Sequence, residues 1–232
     1  MFKGNDFYTT DAAPIFYKEG LKIEYKKGQV FTRPEDTSQG MYYLDSGQVL
    51  VHTAKSDGLE QVVAVFEKGV MFGKPGSLMP QRITLISITA LTDCVAYRLS
   101  GEKFNKHPQL LMTYMRQATL NYLYLLNQIL VLGERNIYNR VISELLLMAD
   151  YYGNPQGKGV TLRVALTQEQ LSNMLCITRE YLSKTLKKIK TKKLITIGEE
   201  GRVTIPDITI LQRELGLQDK LFIEPDTHLG LK

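Results

Sequence analysis

The residues richest in chemistry stand close together: Arg179, Glu180, Ser183, Lys184 and Lys187 fall within nine positions. A guanidinium pairs bidentately with guanine O6 and N7, and a carboxylate accepts from cytosine N4. Arg179 and Glu180 therefore have the side chains for base edges, and Lys184, one turn further on, suits a guanine or a phosphate. Six lysines lie between Lys184 and Lys193. Such a density fits a phosphate backbone, although lysine runs also form plain solvated faces. No paired carboxylates, nucleophile–base set or metal-ligand spacing accompanies them, so enzymatic chemistry is not expected. Cys94 and Cys176 are the only cysteines, and His52, His107 and His228 are scattered. A disulfide framework, a four-thiolate cluster and a metal or other cofactor are accordingly not expected.

The local elements needed to present these groups are legible. Thr167 followed by Gln170 is a capping box, which starts a short helix from Gln168 to Leu175 with Leu171, Met174 and Leu175 on one side. The turn Cys176-Ile177 follows, and Thr178 caps a second helix from Arg179 to about Lys190. Leu182, Leu186 and Ile189 recur at helical spacing and face the first helix, leaving Arg179, Glu180, Ser183, Lys184 and Lys187 on the other side. A helix entered in this way can be laid in a major groove. Thr167, Thr178, Ser183, Lys187 and Lys188 are placed for phosphates, which set register without reading sequence. Leu194 to Ile197 and Arg202 to Pro206, around Gly198-Glu199-Glu200-Gly201, make a β-hairpin. The expectation is a winged helix-turn-helix whose partner is double-stranded DNA.

Upstream, the pattern is different. From about residue 20 to 100, short alternating or apolar runs are punctuated by Lys26-Lys27-Gly28, Asp45-Ser46-Gly47, Ser56-Asp57-Gly58 and Lys68-Gly69. Strands at this spacing predict a small barrel or sandwich, ending in Ile83 to Ala90 and Cys94 to Leu99. From Gln109 to Leu132 there is neither glycine nor proline. Leu111, Ala118, Leu125 and Leu132 form one row, and Met115, Tyr122 and Ile129 a second, spaced as the a/d seam of a coiled coil. That helix, about 36 Å long, predicts a homodimer, with packing on its own domain as the alternative. Glu134-Arg135-Asn136 follows as a hinge, then an amphipathic helix from Tyr138 to Tyr152, broken at Gly153-Asn154-Pro155.

The bulk properties are those of an ordinary globular chain: 232 residues, 44% hydrophobic, 23% charged, net charge +5. No run approaches the roughly 20 apolar residues of a membrane span. Met1 to Asp11 has no apolar signal core, so a cytoplasmic location is expected. The fold class is α+β, with a sensing barrel at 1–107, a dimerisation helix and hinge at 108–136, the DNA-binding domain at 137–216 and a tail at 217–232.

The segment from Cys176 to Leu186, with its Arg179-Glu180 pair, resembles the recognition-helix signature of the cyclic-AMP receptor protein / fumarate-nitrate reduction regulator (CRP/FNR) family. The wing, the closing Ile205-Pro206-Asp207, and the order of barrel, long helix and winged helix are similar too. The resemblance, over roughly residues 20 to 215, implies a cyclic-nucleotide-binding-like jelly roll and an effector-controlled homodimer. It also implies a palindromic site with half-sites one helical turn apart, a transcription-activating role and contact with RNA polymerase. Three of the family's known signals are disfavoured. Gly73 is followed by Lys74-Pro75 instead of glutamate, and Ile83-Thr84-Leu85-Ile86 holds no arginine, which argues against cyclic AMP. The N-terminal cysteine cluster of the iron–sulfur sensors is missing, as is a histidine between Phe72 and Ser77 for haem. A different small organic effector is expected, in a pocket of Phe66, Phe72, Gly73, Lys74, Ser77 and Arg82, closed by Tyr122, Leu125 and Asn127. The Gly-Lys step at 73–74 resembles the family's halorespiration regulators, which sense phenolic ligands. The alternative is constitutive DNA binding with a vestigial barrel. In the reading helix, Cys176 stands where glycine is common and Lys184 replaces an arginine, which gives a point charge in place of a planar fork.

Overall fold

A computed structural model describes residues 10–34, 36, 40–54, 60–74 and 86–216. Two compact units divide the chain, one ending at Thr119 and the other beginning at Leu120. The division falls inside the long helix, so that helix contributes to both units.

The first unit opens with α1 (Ala13–Glu19), which precedes β1 (Leu21–Tyr25), β2 (Val30–Thr32), β3 (Gly40–Ser46), β4 (Gln48–Ala54), β5 (Glu60–Glu67), β6 (Met71–Lys74), β7 (Ser87–Ala90) and β8 (Cys94–Ser100). Helices α2 (Gly101–Asn105) and α3 (Pro108–Gly133) follow. The strands form two four-stranded sheets, ordered β1-β8-β3-β6 and β2-β7-β4-β5, with every pair antiparallel. This is the sandwich form of a jelly roll, as expected from short strands between glycine turns. Gly47 shows why a glycine sits between β3 and β4. Its φ is +88°, and a Cβ there would lie 2.4 Å from the Asp93 carbonyl oxygen.

Alternation along the strands settles which side chains meet. Met41 and Tyr43 of β3 join Met71 and Leu99 under Phe16 of α1, Phe104 of α2 and Leu110 of α3. The opposite face carries Tyr42, stacked on Phe72 with centroids 5.3 Å apart. Gln117 of α3 fastens the helix to the sheets. Its amide oxygen accepts from the Met71 N–H at 2.8 Å, and its amide nitrogen donates to the Gly69 carbonyl at 3.0 Å.

The second unit contains the rest of α3 and α4 (Ile137–Tyr152), β9 (Gly153–Gln156), β10 (Gly159–Leu162), α5 (Gln168–Leu175), α6 (Arg179–Thr191), β11 (Thr196–Ile197), β12 (Val203–Ile205) and α7 (Ile208–Glu214). Asn136 caps α4 by accepting from the Tyr138 N–H at 2.9 Å. Helix α4 is buried along most of its length, from Val141 to Ala149, and forms the centre of this unit. The stretch between α3 and α4 is tied down by Arg140, whose Nε and Nη2 donate to the Glu134 carbonyl at 3.0 and 2.8 Å. The same guanidinium donates through Nη1 to the Leu175 carbonyl at the end of α5, at 3.2 Å.

The segment at Gly153 does more than break a helix. It forms a hairpin, β9–β10, that extends the wing into a four-stranded sheet, β11-β12-β10-β9. Tail residues 217–232 lie outside the described residues.

Candidate nucleic-acid interface

The local chemistry of α5 and α6 forms as the residue types require. Thr167 Oγ1 accepts from the Gln170 N–H at 3.1 Å, while Gln170 Oε1 accepts from the Thr167 N–H at 2.9 Å. Two N–H groups that a helix start leaves unpaired are thereby satisfied. Helix α5 ends at Cys176, which is left-handed at φ 54° and ψ 42°. This is the position where glycine is common, and cysteine occupies the glycine-type conformation there. The turn is closed by the Ile177 N–H donating to the Ser172 carbonyl at 3.1 Å. Thr178 then caps α6 through the Tyr181 N–H at 3.3 Å.

Helix α6 buries Leu182, Thr185, Leu186 and Ile189 and exposes its opposite side. Burial of each leucine or isoleucine contributes about 1.5–3 kcal/mol, so this face sets the helix's rotation about its axis. Arg179, Glu180, Ser183, Lys184 and Lys187 consequently all stand in solvent, as does the cap residue Thr178. The Glu180 carboxyl is held below the ordinary value, first by its own backbone N–H and then by the Thr178 hydroxyl, with Arg179 and Lys184 adding attraction. It is thus an ionised acceptor at the helix start.

Three features escaped the sequence reading. Tyr181 is 58% exposed and adds an aromatic edge to the polar face. Arg202 is exposed at the tip of the wing, where its carbonyl accepts from the Gly198 N–H at 2.9 Å. The lysine run is also internally divided. Lys188 Nζ lies 4.6 Å from the Tyr138 ring centroid and Lys192 Nζ lies 5.2 Å from it. Lys192 forms an ion pair with Glu214 of α7, and the Tyr138 hydroxyl donates to the same carboxylate at 2.8 Å. Glu214 is held below the ordinary carboxylate value by Lys192 and then by Tyr138. Lys184 and Lys187 stand apart from this cluster, whereas Lys188 is drawn towards α4.

Of the expected effector residues in the first unit, Phe66 and Phe72 lie with ring centroids 6.5 Å apart. Ser77 and Arg82 lie outside the described residues, and Lys74 ends β6. Phe66 is half-buried. Phe72 is buried and stacked on Tyr42 as core. Gly73 has φ +123°, and its Cβ position would fall 2.3 Å from the Gly40 carbonyl oxygen, so it serves close backbone approach. Asn127, expected to close the pocket, is wholly buried and hydrogen-bonded with Tyr151 of α4. Phe72 and Asn127 are thus both buried and held by aromatic neighbours.

The row expected to form the seam lies along α3. Met115 is 51% exposed, Tyr122 59% and Ile129 64%, while Leu125 is exposed and Leu111, Ala118 and Leu132 are half-buried. Among the described residues no cluster of histidine, cysteine, aspartate or glutamate could hold a metal ion. No described helix is long and apolar enough to cross a membrane.

Two family models match the chain in sequence order. Residues 22–109 match the cyclic nucleotide-binding domain, and residues 139–214 match the Crp-like helix-turn-helix domain. The chain belongs to the CRP/FNR family. One relative, the global nitrogen regulator of Synechococcus elongatus, is 25% identical over 191 residues, covering 80% of this chain and 86% of that protein. A CooA mutant from Carboxydothermus hydrogenoformans superposes with a TM-score of 0.73 at 20% identity, over 93% of this chain and 96% of that one. The OCPA-complexed CprK has a TM-score of 0.67 at 15% identity, over 90% and 94% of the two chains. These structures share the fold. Within the CRP/FNR family the α5–α6 module is a DNA-binding element, and the charged face of α6 is the side of it left open to solvent.

Proposed function

We propose that this CRP/FNR regulator is an effector-gated homodimer that reads a palindromic DNA site through α6. The observation that carries the reading is the division of α6 into two faces: four buried side chains fix it, and Arg179, Glu180 and Lys184 are presented together. Arg179 and Glu180 read base edges in each half-site, and Lys184 adds a weaker, point-charge contact. Thr167, Thr178, Ser183, Lys187 and Lys188 hold the phosphates. The apolar row of Met115, Tyr122, Leu125 and Ile129 supports pairing with a second copy, since a stripe of this width is costly to leave in water. The protein works in the cytoplasm as an activator that meets RNA polymerase. Its effector is a small organic molecule and not cyclic AMP.

Selection of binding sites from random duplexes tests this. A palindrome with guanine-containing half-sites one turn apart is expected; a sequence-blind pool would overturn the reading.

The packing of Phe72 and Asn127 favours one competitor, a constitutive regulator with a vestigial sensor. Ligand screening by thermal shift separates the two, because only a gated protein gains stability from one compound class.

A further inference from the structure

Arg98 stands on β8 at a place where the sheet register is continuous across four strands. Leu21, Arg98, Tyr42 and Phe72 are side-by-side partners. The guanidinium carbon lies 5.9 Å from the Tyr42 ring centroid. Its Nε is buried and has no hydrogen-bond partner. Gly40, beside it on β3, makes the room, because a Cβ there would lie 3.0 Å from Arg98 Nε. A buried N–H of a permanent cation without an acceptor is unfavourable unless something supplies the acceptor.

A cavity of about 390 Å³ opens at this point, lined by Glu19, Gly20, Leu21, Arg98, Ser100 and Lys103. Lys103 reaches into the same wall and donates to the Glu19 carbonyl at 2.9 Å. The one carboxylate in the wall is occupied elsewhere: Glu19 Oε2 lies 3.1 Å from His107 Nε2. Two cations therefore set the field of the cavity. Its size falls at the small end of ligand sites, about 300–1,000 Å³.

We propose that this cavity binds a small oxyanion, the carboxylate or phosphoryl group of a metabolite, with Arg98 as principal donor and Lys103 as the second. A planar guanidinium matches either group through paired N–H donors. Tyr42 beneath the guanidinium fixes its plane, and Ser100 adds a hydroxyl at the rim. The site deepens the sensor reading of the first unit and rests on it. Among the described residues, its lining shares none with the pocket expected around Phe72 to Arg82.

Calorimetric titration of the full-length protein with inorganic phosphate, citrate and phenylacetate, at constant ionic strength set with sodium chloride, tests the proposal. At least one probe should bind saturably, and which one binds separates phosphoryl from carboxylate ligands. Arg98→Gln should weaken that binding by about tenfold or more, Lys103→Gln by less, and Arg98→Lys should retain part of it. If Arg98→Gln does not fold by circular dichroism, Arg98→Lys and Lys103→Gln carry the comparison. Absence of saturable binding by all three probes, or unchanged affinity in the variants, overturns the site. DNA affinity measured with and without the binding probe distinguishes the two levels. Arg98-dependent binding that leaves DNA affinity unchanged keeps the site and removes its part in gating.

Discussion

Gln128 of α3 donates its amide N–H to Glu144 of α4 at 2.9 Å, with both side chains buried. Each retains a buried oxygen that accepts no hydrogen bond: the amide Oε1 of Gln128 and the second carboxylate oxygen, Oε1, of Glu144. An acid facing an amide can satisfy both with one proton. Burial pushes the Glu144 carboxyl up to about 7, with the Gln128 bond pulling the other way.

Stability should therefore depend on pH in a defined direction. The folded-state value lies above the unfolded one, so the contribution is fully present below about 4.5 and is lost as pH rises through about 7. The loss should be on the order of 2–3 kcal/mol. Urea unfolding of the wild type between pH 5 and 8 should show the decline, and Glu144→Gln should flatten it. A wild-type profile that is level or rises over that range would contradict the assignment.

Base reading and phosphate holding separate by mutation. Arg179→Ala should relax preference at a single base pair of each half-site by about 1–3 kcal/mol. Lys187→Ala should weaken all duplexes alike and lower the slope of log affinity against log salt by about one. Binding to a panel of single-base operator variants, at two salt concentrations, distinguishes them.

Glu214 holds Lys192 in an ion pair beside α6. Glu214→Gln should free that ammonium for the DNA backbone, raising affinity for non-operator duplex a few-fold at low salt while leaving the base preference in place. Fluorescence anisotropy with scrambled DNA measures the change. A fall in affinity would mean that the pair serves chiefly to seat α7.

Ile129 is the most exposed large apolar side chain of the α3 row. Ile129→Glu places a charge on the seam and should shift the protein to monomer in sedimentation experiments, with loss of operator affinity. A variant that still sediments as a dimer would move the interface off this row.

Cys176 sits in the left-handed region, where a side chain is strained. Cys176→Gly should relieve that strain and stabilise the DNA-binding unit by about 0.5–1 kcal/mol, net of the greater freedom glycine has when unfolded. Thermal unfolding reads it directly.

The legibility of these features in the sequence follows their physical range. The capping box at Thr167 and the cap at Thr178 are local signals, and the helices begin where those residues place them. The row from Leu111 to Leu132 was readable because helical spacing is periodic over many turns. The β9–β10 hairpin was not, since Gly153-Asn154-Pro155 stops a helix and starts a strand with the same residue types. Phe72 and Asn127 mark a related limit: periodicity tells which side chains share a face, not whether that face holds core or cavity. Arg98 was passed over because its meaning depends on Gly40 and Tyr42, more than fifty residues away.

The hold of Arg140 on the Glu134 and Leu175 carbonyls has a practical consequence for domain exchange. The stretch before α4 is mechanically part of the DNA-reading body, because one guanidinium clamps it to the end of α5. A chimera that grafts a foreign sensor after residue 136 would discard the native Glu134 and its neighbours and loosen that clamp. A graft joined within α3, upstream of Glu134, carries the clamp with it, and should give the transplanted reader its native stiffness.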